Sequence, residues 1–392
     1  MAATQRVVLS GATTWTVVSE SFAVIEPAEE YLEFGRQNGF APNTVKAYAR
    51  GLAQWWTYLE QSSKRWDAVR IHDFGNFLAA VRHNEFDPAV RSLRPEPRVS
   101  EETIQLRLRA VLGFYRYQAG CGNDVAPFLY EQVRGRSPRY LSFLEHVASR
   151  NPQRRLAMRV RLPRKDIPIL TPGTITELLD LEALHSVEEG EWRGDLRYRL
   201  LWSLLAETGM RLGEALSLQH RDWNIGRSAT ATISVVDRPH PYGLATKSGG
   251  RRVHIGSRLD RLYADYVWWL CDRGADVLIN DWDSSYVFCN TRRDPLYGPL
   301  RPEAVYAHLR AVKRRLPQLP AAMTPHWFRH THATALLLAG TPLHVVSRRL
   351  GHKSVQTTIN TYGHVTEDAE LEALANWRDV VAGWEANQHD EP

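Results

Sequence analysis

The sequence predicts a mostly α-helical protein with a small antiparallel β-sheet, built as two domains. Three observations carry that prediction. At 392 residues the chain is long enough for two cores of the usual ~100–200 residues. Apolar residues recur at helical spacing over most of its length. Between residues 229 and 255 that period gives way to short β-prone runs around a Gly-Gly turn.

Taken in order, residues 1–25 form an N-terminal extension with two β-prone runs, RVVL and TWTVV. Residues 26–121 read as a small helical domain. PAEEYLEFGRQN gives a first helix. APNTVKAYARGLAQWWTYLEQ opens with turn chemistry over 41–43 and continues as an amphipathic helix. IHDFGNFLAAVRHN and SEETIQLRLRAVLGFYRYQAG follow, the latter with Ser100 as cap and Glu101 and Glu102 in its first turn. The proline-rich EFDPAVRSLRPEPRV between them reads as a loop. Residues 122–168 make a basic bridge, in which Glu145 is the only acid between Arg134 and Lys165. Such one-sign clustering suits phosphate contact.

The second domain spans 169–366. It opens with LTPGTITELLDLE, then the apolar helix LRYRLLWSLLAETG, broken at Gly209, then MRLGEALSL. Strands are expected at ATATISVV, YGLAT and RRVHI, with helices thereafter. Residues 367–392 form an acidic tail. Leu371, Leu374, Trp377, Val381 and Trp384 recur there at three- or four-residue spacing, so it reads as an amphipathic helix.

The net charge of +5 is uneven. After residue 362, eight acids face one base, Arg378, which leaves +12 on residues 1–362. A basic body points to a polyanionic partner. No stretch reaches the ~18 apolar residues of a membrane span. The run TTWTVVSESFAVIEP is broken at Ser19, Glu20 and Ser21, so no signal peptide is expected and the predicted location is cytoplasmic, at the nucleoid. Cys121, Cys271 and Cys289 lie far apart and read as buried small hydrophobes in a reducing compartment, with no metal site.

One segment concentrates chemistry. TPHWFRHTHATALLLAGTPLHVVSRRLGHKSVQTTINTYGHV holds six of the fifteen histidines, three arginines and one tyrosine. Thr324 and Pro325 read as cap and first position of a helix, which puts His326 and Arg329 on one face. Arg211 repeats the arrangement after the Gly209 break. Two arginines at helix starts can grip one phosphate through paired N–H donors. His352 precedes Tyr362 by ten residues, ~15 Å in a straight helix. Gly351 and Ser354 predict a turn between them, with Ser354 capping the helix that carries Tyr362.

AETGMRLGEALSL, TPHWFRHTHATALLLAG and LGHKSVQTTINTYGHV resemble the three signature boxes of the tyrosine recombinases, the phage integrase family. FAPNTVKAYARGLAQWWTYLE is similar to that family's helical core-binding domain, so the fold implied is a core-binding domain plus an α+β catalytic domain. The resemblance implies that Arg211 and Arg329 hold the scissile phosphate and that His326 and His352 bond it and help move protons. It makes Tyr362 the nucleophile and Glu214 a supporting acid. The family's lysine sits on a β-hairpin between the first arginine and the histidine box. Lys247 and Lys313 lie in that interval, and Lys247, in TKSGGRRVHI, is the choice as acid for the 5′-oxygen. Asn43, Thr44, Lys46, Arg154, Arg155 and Arg251 are candidate DNA contacts.

The implied chemistry is strand breakage and rejoining through a 3′-phosphotyrosyl link, with no metal, ATP or other cofactor. A tyrosine of pKa ~10 needs the surrounding cations and donors to attack a phosphate. The implied partners are double-stranded DNA at a specific site, a homotetramer on that DNA, and accessory DNA-bending or element-encoded proteins. Residues 1–25 are shorter than the arm-binding domain of many phage integrases. The 85–99 loop and the bridge are longer than in compact chromosome-resolving relatives. Both point to a transposon- or element-borne enzyme. The alternatives are type IB topoisomerase-like relaxation, a non-catalytic DNA-binding relative, and a zinc hydrolase using the i, i+4 pair His326 and His330, with His332 near. The last lacks a Glu after His326 and an evident third ligand.

Overall fold

A computed structural model describes residues 1–9, 12–86, 99–126, 130–132, 154–156, 167–186, 188, 190–226, 230–244, 249–352 and 354–362. Lys247, the acidic tail, most of the proline-rich loop and most of the basic bridge lie outside the described residues. The chain divides into two compact units, Met1–Arg164 and Lys165–Pro392.

The first unit begins with an antiparallel hairpin, β1 (Ala3–Leu9) and β2 (Ala12–Val18), matching the two β-prone runs. Four helices follow: α1 (Glu26–Gln37), α2 (Pro42–Gln61), α3 (Ile71–His83) and α4 (Glu101–Gly120). Ser100 caps α4 by accepting the Thr103 N–H. The helices close on an aromatic core. Trp55 of α2 stacks on Phe74 and meets Phe77 and Tyr115 edge-on. Gly51 lets α2 approach α4, since a Cβ there would come within 2.8 Å of the Ala110 methyl. A short strand pair, β3 (Tyr130–Gln132) and β4 (Arg154–Leu156), also belongs to this unit.

The second unit is built on α6 (Leu196–Thr208), most of which is buried, with Arg199, Ser203, Ala206 and Glu207 partly exposed along one side. Around it lie α5 (Pro172–Glu182), α8 (Ser257–Cys271) and α11 (His326–Leu338). Trp202 of α6 stacks on Phe328 of α11. Short α7 (Leu212–Leu216) leads to a three-stranded antiparallel sheet, β7 (Trp223–Asn224), β8 (Thr232–Val235) and β9 (Arg251–His254). Ile233 pairs with Val253 on its buried face. Helices α9 (Ala275–Leu278) and α10 (Pro302–Arg315) precede α11, and α12 (Leu343–Leu350) and α13 (Val355–Tyr362) follow it.

Four details depart from the sequence reading. Of the expected strand YGLAT, the described residues Tyr242, Gly243 and Leu244 form no strand; Gly243 has φ +64° after a turn. A hairpin of β5 (Ala183–His185) and β6 (Trp192–Gly194) was not expected, because three-residue strands carry too little alternation to register. Helix α11 starts at His326 with Pro325 at its cap, and Thr324 gives no side-chain cap; its carbonyl accepts the Trp327 N–H instead. Of the three free cysteines only Cys289 is buried, and Cys121 is exposed at the end of α4.

Candidate active site

The site starts where α6 stops. Gly209 takes the left-handed conformation at φ +63°, and a Cβ there would come within 2.8 Å of His332 and Leu350. Only glycine fits such a position without strain. The turn places Arg211 at the cap of α7. Glu214, three residues on, accepts both the Arg211 backbone N–H (3.1 Å) and its guanidinium (2.8 Å). Arg251, at the start of β9, donates at 2.7 Å to the same Glu214 oxygen that accepts the Arg211 backbone N–H, and to the Arg349 carbonyl at 3.0 Å. One buried carboxylate therefore aligns two arginines from different elements. Burial opposes its charge, but the Arg251 and Arg211 bonds prevail and hold its pKa down at about 2.

Arg329 projects from the first turn of α11 and is 2% exposed. Its Nη1 donates to the Gly209 carbonyl at 2.8 Å, while its buried Nη2 has no hydrogen-bond partner among the described residues. Burial first, and Arg211 second, push its pKa down to about 10. A guanidinium in that position is stabilised by an anion that accepts from it. His326 begins the same helix. Its pKa is lowered by burial of one side and by His330, Arg329 and Arg211, so the ring is neutral at pH 7.

The αL residue Gly351 ends α12 at φ 68°, and Ser354 caps α13 by accepting the Gln356 N–H, as the sequence predicts. This double turn folds His352 back toward the helix carrying Tyr362. His352 Nδ1 sits 2.6 Å from the Thr358 hydroxyl. Burial, Arg329, Arg211, Arg251 and His326 all depress its pKa. Tyr362 is 1% exposed and packs with Ala333, Leu337, Val346 and Leu350. Burial raises its pKa to about 12, with Arg329 acting the other way. Its hydroxyl lies 3.0 Å from His330 Nδ1.

The structure thus gathers Arg211, Glu214, Arg251, His326, Arg329, His352 and Tyr362 in one place. Lys247 lies outside the described residues. Lys313, the other lysine of the interval, is tied down: its ammonium donates to the Ala321 and Met323 carbonyls at 2.7 and 2.6 Å, bracing the loop before α11. In the first unit Asn43 and Thr44 lie in the opening turn of α2, and the Lys46 ammonium sits 4.4 Å over the Trp15 ring. Arg154 and Arg155 are strand residues of β4, paired with Gln132 and Glu131.

Two features escaped sequence reasoning. His330 was visible only as one of a histidine pair four apart. Its bond to Tyr362 spans 32 residues and has no local signature. His332 and Arg349 form a second tie. Arg349 Nε donates to His332 Nε2 at 2.9 Å, which leaves Nδ1 as the protonated nitrogen facing the Ala206 carbonyl at 3.0 Å. Arg349 also reaches the Glu207 and His254 carbonyls, joining α12 to the end of α6 and to β9. These engagements point His330 and His332 at separate partners, while the His326 ring packs edge-on against His330. Among the described residues no group of three or more His, Cys, Asp or Glu is placed to hold a metal ion.

Known proteins resemble this chain in sequence and fold. Residues 180–369 match the phage integrase family, and residues 28–119 match the phage integrase N-terminal SAM-like domain. Transposase A from transposon Tn554 of Staphylococcus aureus is 27% identical over 357 residues, covering 90% of this chain and 91% of the relative. Tyrosine recombinase XerD of Mycobacterium tuberculosis is 28% identical over 344 residues, covering 86% and 92%. In fold, the chain is similar to the Tn1549 transposon integrase in complex with a circular intermediate DNA (TM-score 0.57, 18% identity, 88% of this chain and 98% of that one). It is also similar to the XerH site-specific recombinase bound to its difH substrate (TM-score 0.56, 17% identity, 89% and 84%). With both of its units matched and its signature residues converging on one tyrosine, the chain belongs to the phage integrase family of tyrosine recombinases.

Proposed function

We propose that this chain cuts and rejoins double-stranded DNA at a specific site through a 3′-phosphotyrosyl intermediate on Tyr362. Site-specific recombination is the activity of the family to which it belongs. The observation that carries the residue assignment is the buried Arg329. One of its nitrogens is spoken for by Gly209, the other has no hydrogen-bond partner among the described residues, and Arg211, His326, His352 and Tyr362 surround it. Such a cluster fits one phosphodiester with an attacking oxygen beside it.

In this reading Arg211 and Arg329 neutralise the non-bridging oxygens, and His326 and His352 donate hydrogen bonds to them. Glu214 holds Arg211 and Arg251 in register. Lys247 protonates the departing 5′-oxygen. The phosphotyrosyl bond conserves the energy of the phosphodiester, so exchange runs without ATP, and the cations present make a metal ion unnecessary. Recombination takes place in a tetramer on two duplexes, with the acidic 367–392 segment linking protomers and with accessory proteins of the host element. The domain limits proposed are 26–121 for core binding, 122–168 for the bridge and 169–366 for catalysis. Asn43, Thr44, Lys46, Arg154 and Arg155 contact DNA. The likeness to the Tn554 transposase over nine-tenths of the chain favours transposition over chromosome resolution as the setting. The enzyme works in the cytoplasm, where its DNA is.

The test is a nicked suicide duplex carrying the recombination site, in the presence of chelator and without nucleotide. The full chain forms a covalent adduct under these conditions. Replacing the 5′-bridging oxygen with sulfur recovers most of the rate lost by Lys247→Ala, because a thiolate departs without a proton. An adduct that requires metal, or equal defects of Lys247→Ala on both substrates, removes the corresponding part of this proposal.

A further inference from the structure

Among the described residues His330 is the side chain hydrogen-bonded to the Tyr362 hydroxyl, yet neither phosphate binding nor leaving-group chemistry uses it. Its Nδ1 lies 3.0 Å from the Tyr362 hydroxyl, with the rings tilted at 62° and their centroids 5.8 Å apart. His326 supports it from one turn earlier, its ring at 4.6 Å and nearly perpendicular. Among the described residues the groups facing His330 are His326 and Arg329 from its own helix and Tyr362 from α13. Burial first, and Arg329 second, lower its pKa, so the ring is neutral at pH 7. A neutral imidazole keeps one unprotonated nitrogen, and with Nε2 carrying the proton, Nδ1 accepts from the phenol. His352 Nδ1, by contrast, is taken by Thr358.

We propose that His330 is the proton acceptor for Tyr362 in strand cleavage. The proposal rests on the reading of Tyr362 as nucleophile. As the Oη–P bond forms and the P–O5′ bond breaks, the phenolic proton passes to His330 Nδ1, giving an imidazolium. O5′ takes its proton from Lys247, the acid proposed above. In rejoining, the imidazolium returns its proton to Oη as the P–Oη bond breaks, and the attacking 5′-hydroxyl gives its proton to the Lys247 amine. The imidazolium forms close to Arg329, and the negative charge gathering on the phosphorane offsets that repulsion. The need is clear from Tyr362 itself, whose pKa of about 12 leaves little phenolate at neutral pH.

The experiment is single-turnover cleavage of the nicked duplex between pH 6 and 9.5 by the full chain, His330→Gln and His330→Ala. For the unaltered chain the rate is flat above pH ~6.5, since the acceptor is already neutral. In both variants cleavage at pH 7 falls by ~10²–10³. The rate then climbs close to tenfold per pH unit, because Tyr362 must lose its proton to hydroxide. A second reaction separates chemistry from damage: joining of a 5′-hydroxyl strand to a 3′-p-nitrophenyl phosphate end needs neither Tyr362 nor a proton for its leaving group. Both variants keep that joining rate within about threefold. A loss uniform across pH, or an equal loss in joining, makes His330 structural and overturns the proposal. Unchanged cleavage at pH 7 also overturns it. The nucleophile reading fails separately, when Tyr362→Phe still forms an adduct.

Discussion

The two units of this molecule bury different kinds of side chain. Under the first lies a stack of rings, with Trp55 at 4.9 Å from Phe74 and 5.0 Å from Phe77. Its one charged residue among the described buried set is Asp73, neutralised by Lys64 and by the Arg70 N–H. The second unit buries Glu182, Arg197, Glu214, His220, Asp222 and Arg329 around its apolar helix. Ring packing stabilises at little electrostatic cost. Buried charge costs free energy that only good partners offset. The first unit thus packs mainly on rings, while the second holds buried charges that depend on their partners.

Four substitutions sharpen that contrast, in falling order of effect. Tyr362→Phe abolishes covalent adduct formation, at least ~10⁴-fold, because the attacking oxygen is gone. Gel shift finds DNA binding intact and circular dichroism finds the fold intact. Arg329→Met slows single-turnover cleavage by about 10³-fold through loss of a phosphate donor. Its thermal midpoint nevertheless holds or rises. The Arg329 pKa is pushed down to about 10 in the fold, so the charged form is held against its own preference. A clear fall in midpoint would break the comparison.

Phe77→Ala acts on the first unit alone. Removing a fully buried ring costs about 3–5 kcal/mol in urea unfolding of the first unit. The transition of the second unit stays where it was. Glu214→Gln is next. The Glu214 pKa falls from 4.5 to about 2 on folding, worth on the order of 3 kcal/mol. With a depressed pKa, that contribution is present above the unfolded value and disappears as pH drops from about 5 toward 2. Acid titration of stability in the second unit therefore loses this component in the Gln variant. If the variant keeps the same acid dependence, Glu214 is not its source.

Local chemistry explains what was legible beforehand. Ser100, Ser354, Gly209 and Gly351 act within one turn of themselves, so cap and break could be read directly. The convergence of Arg211, His326, Arg329, His352 and Tyr362 was legible through their spacing and its resemblance to a known family. Thr324 misled because proline after a threonine mimics a cap, while the backbone carbonyl took the bond instead. The Arg251–Glu214 pair, the Arg349–His332 tie and the His330–Tyr362 bond join residues 37, 17 and 32 positions apart. No period or capping rule acts at that range; only the folded packing brings such pairs together.

The seat of Tyr362 has a consequence for the linked state. Helix α13 is eight residues long, too short to hold its shape alone in water. What fixes it includes the tyrosine ring, packed among Ala333, Leu337, Val346 and Leu350, and the buried Thr358 bonded to His352. The reagent is therefore also a strut of its own helix. In the proposed linked state, with DNA joined to Oη, any pull on the strand is transmitted through that packing into α11 and α12. A smaller residue at this position would remove the strut together with the oxygen, so Tyr362→Ala confounds two effects that Tyr362→Phe keeps apart.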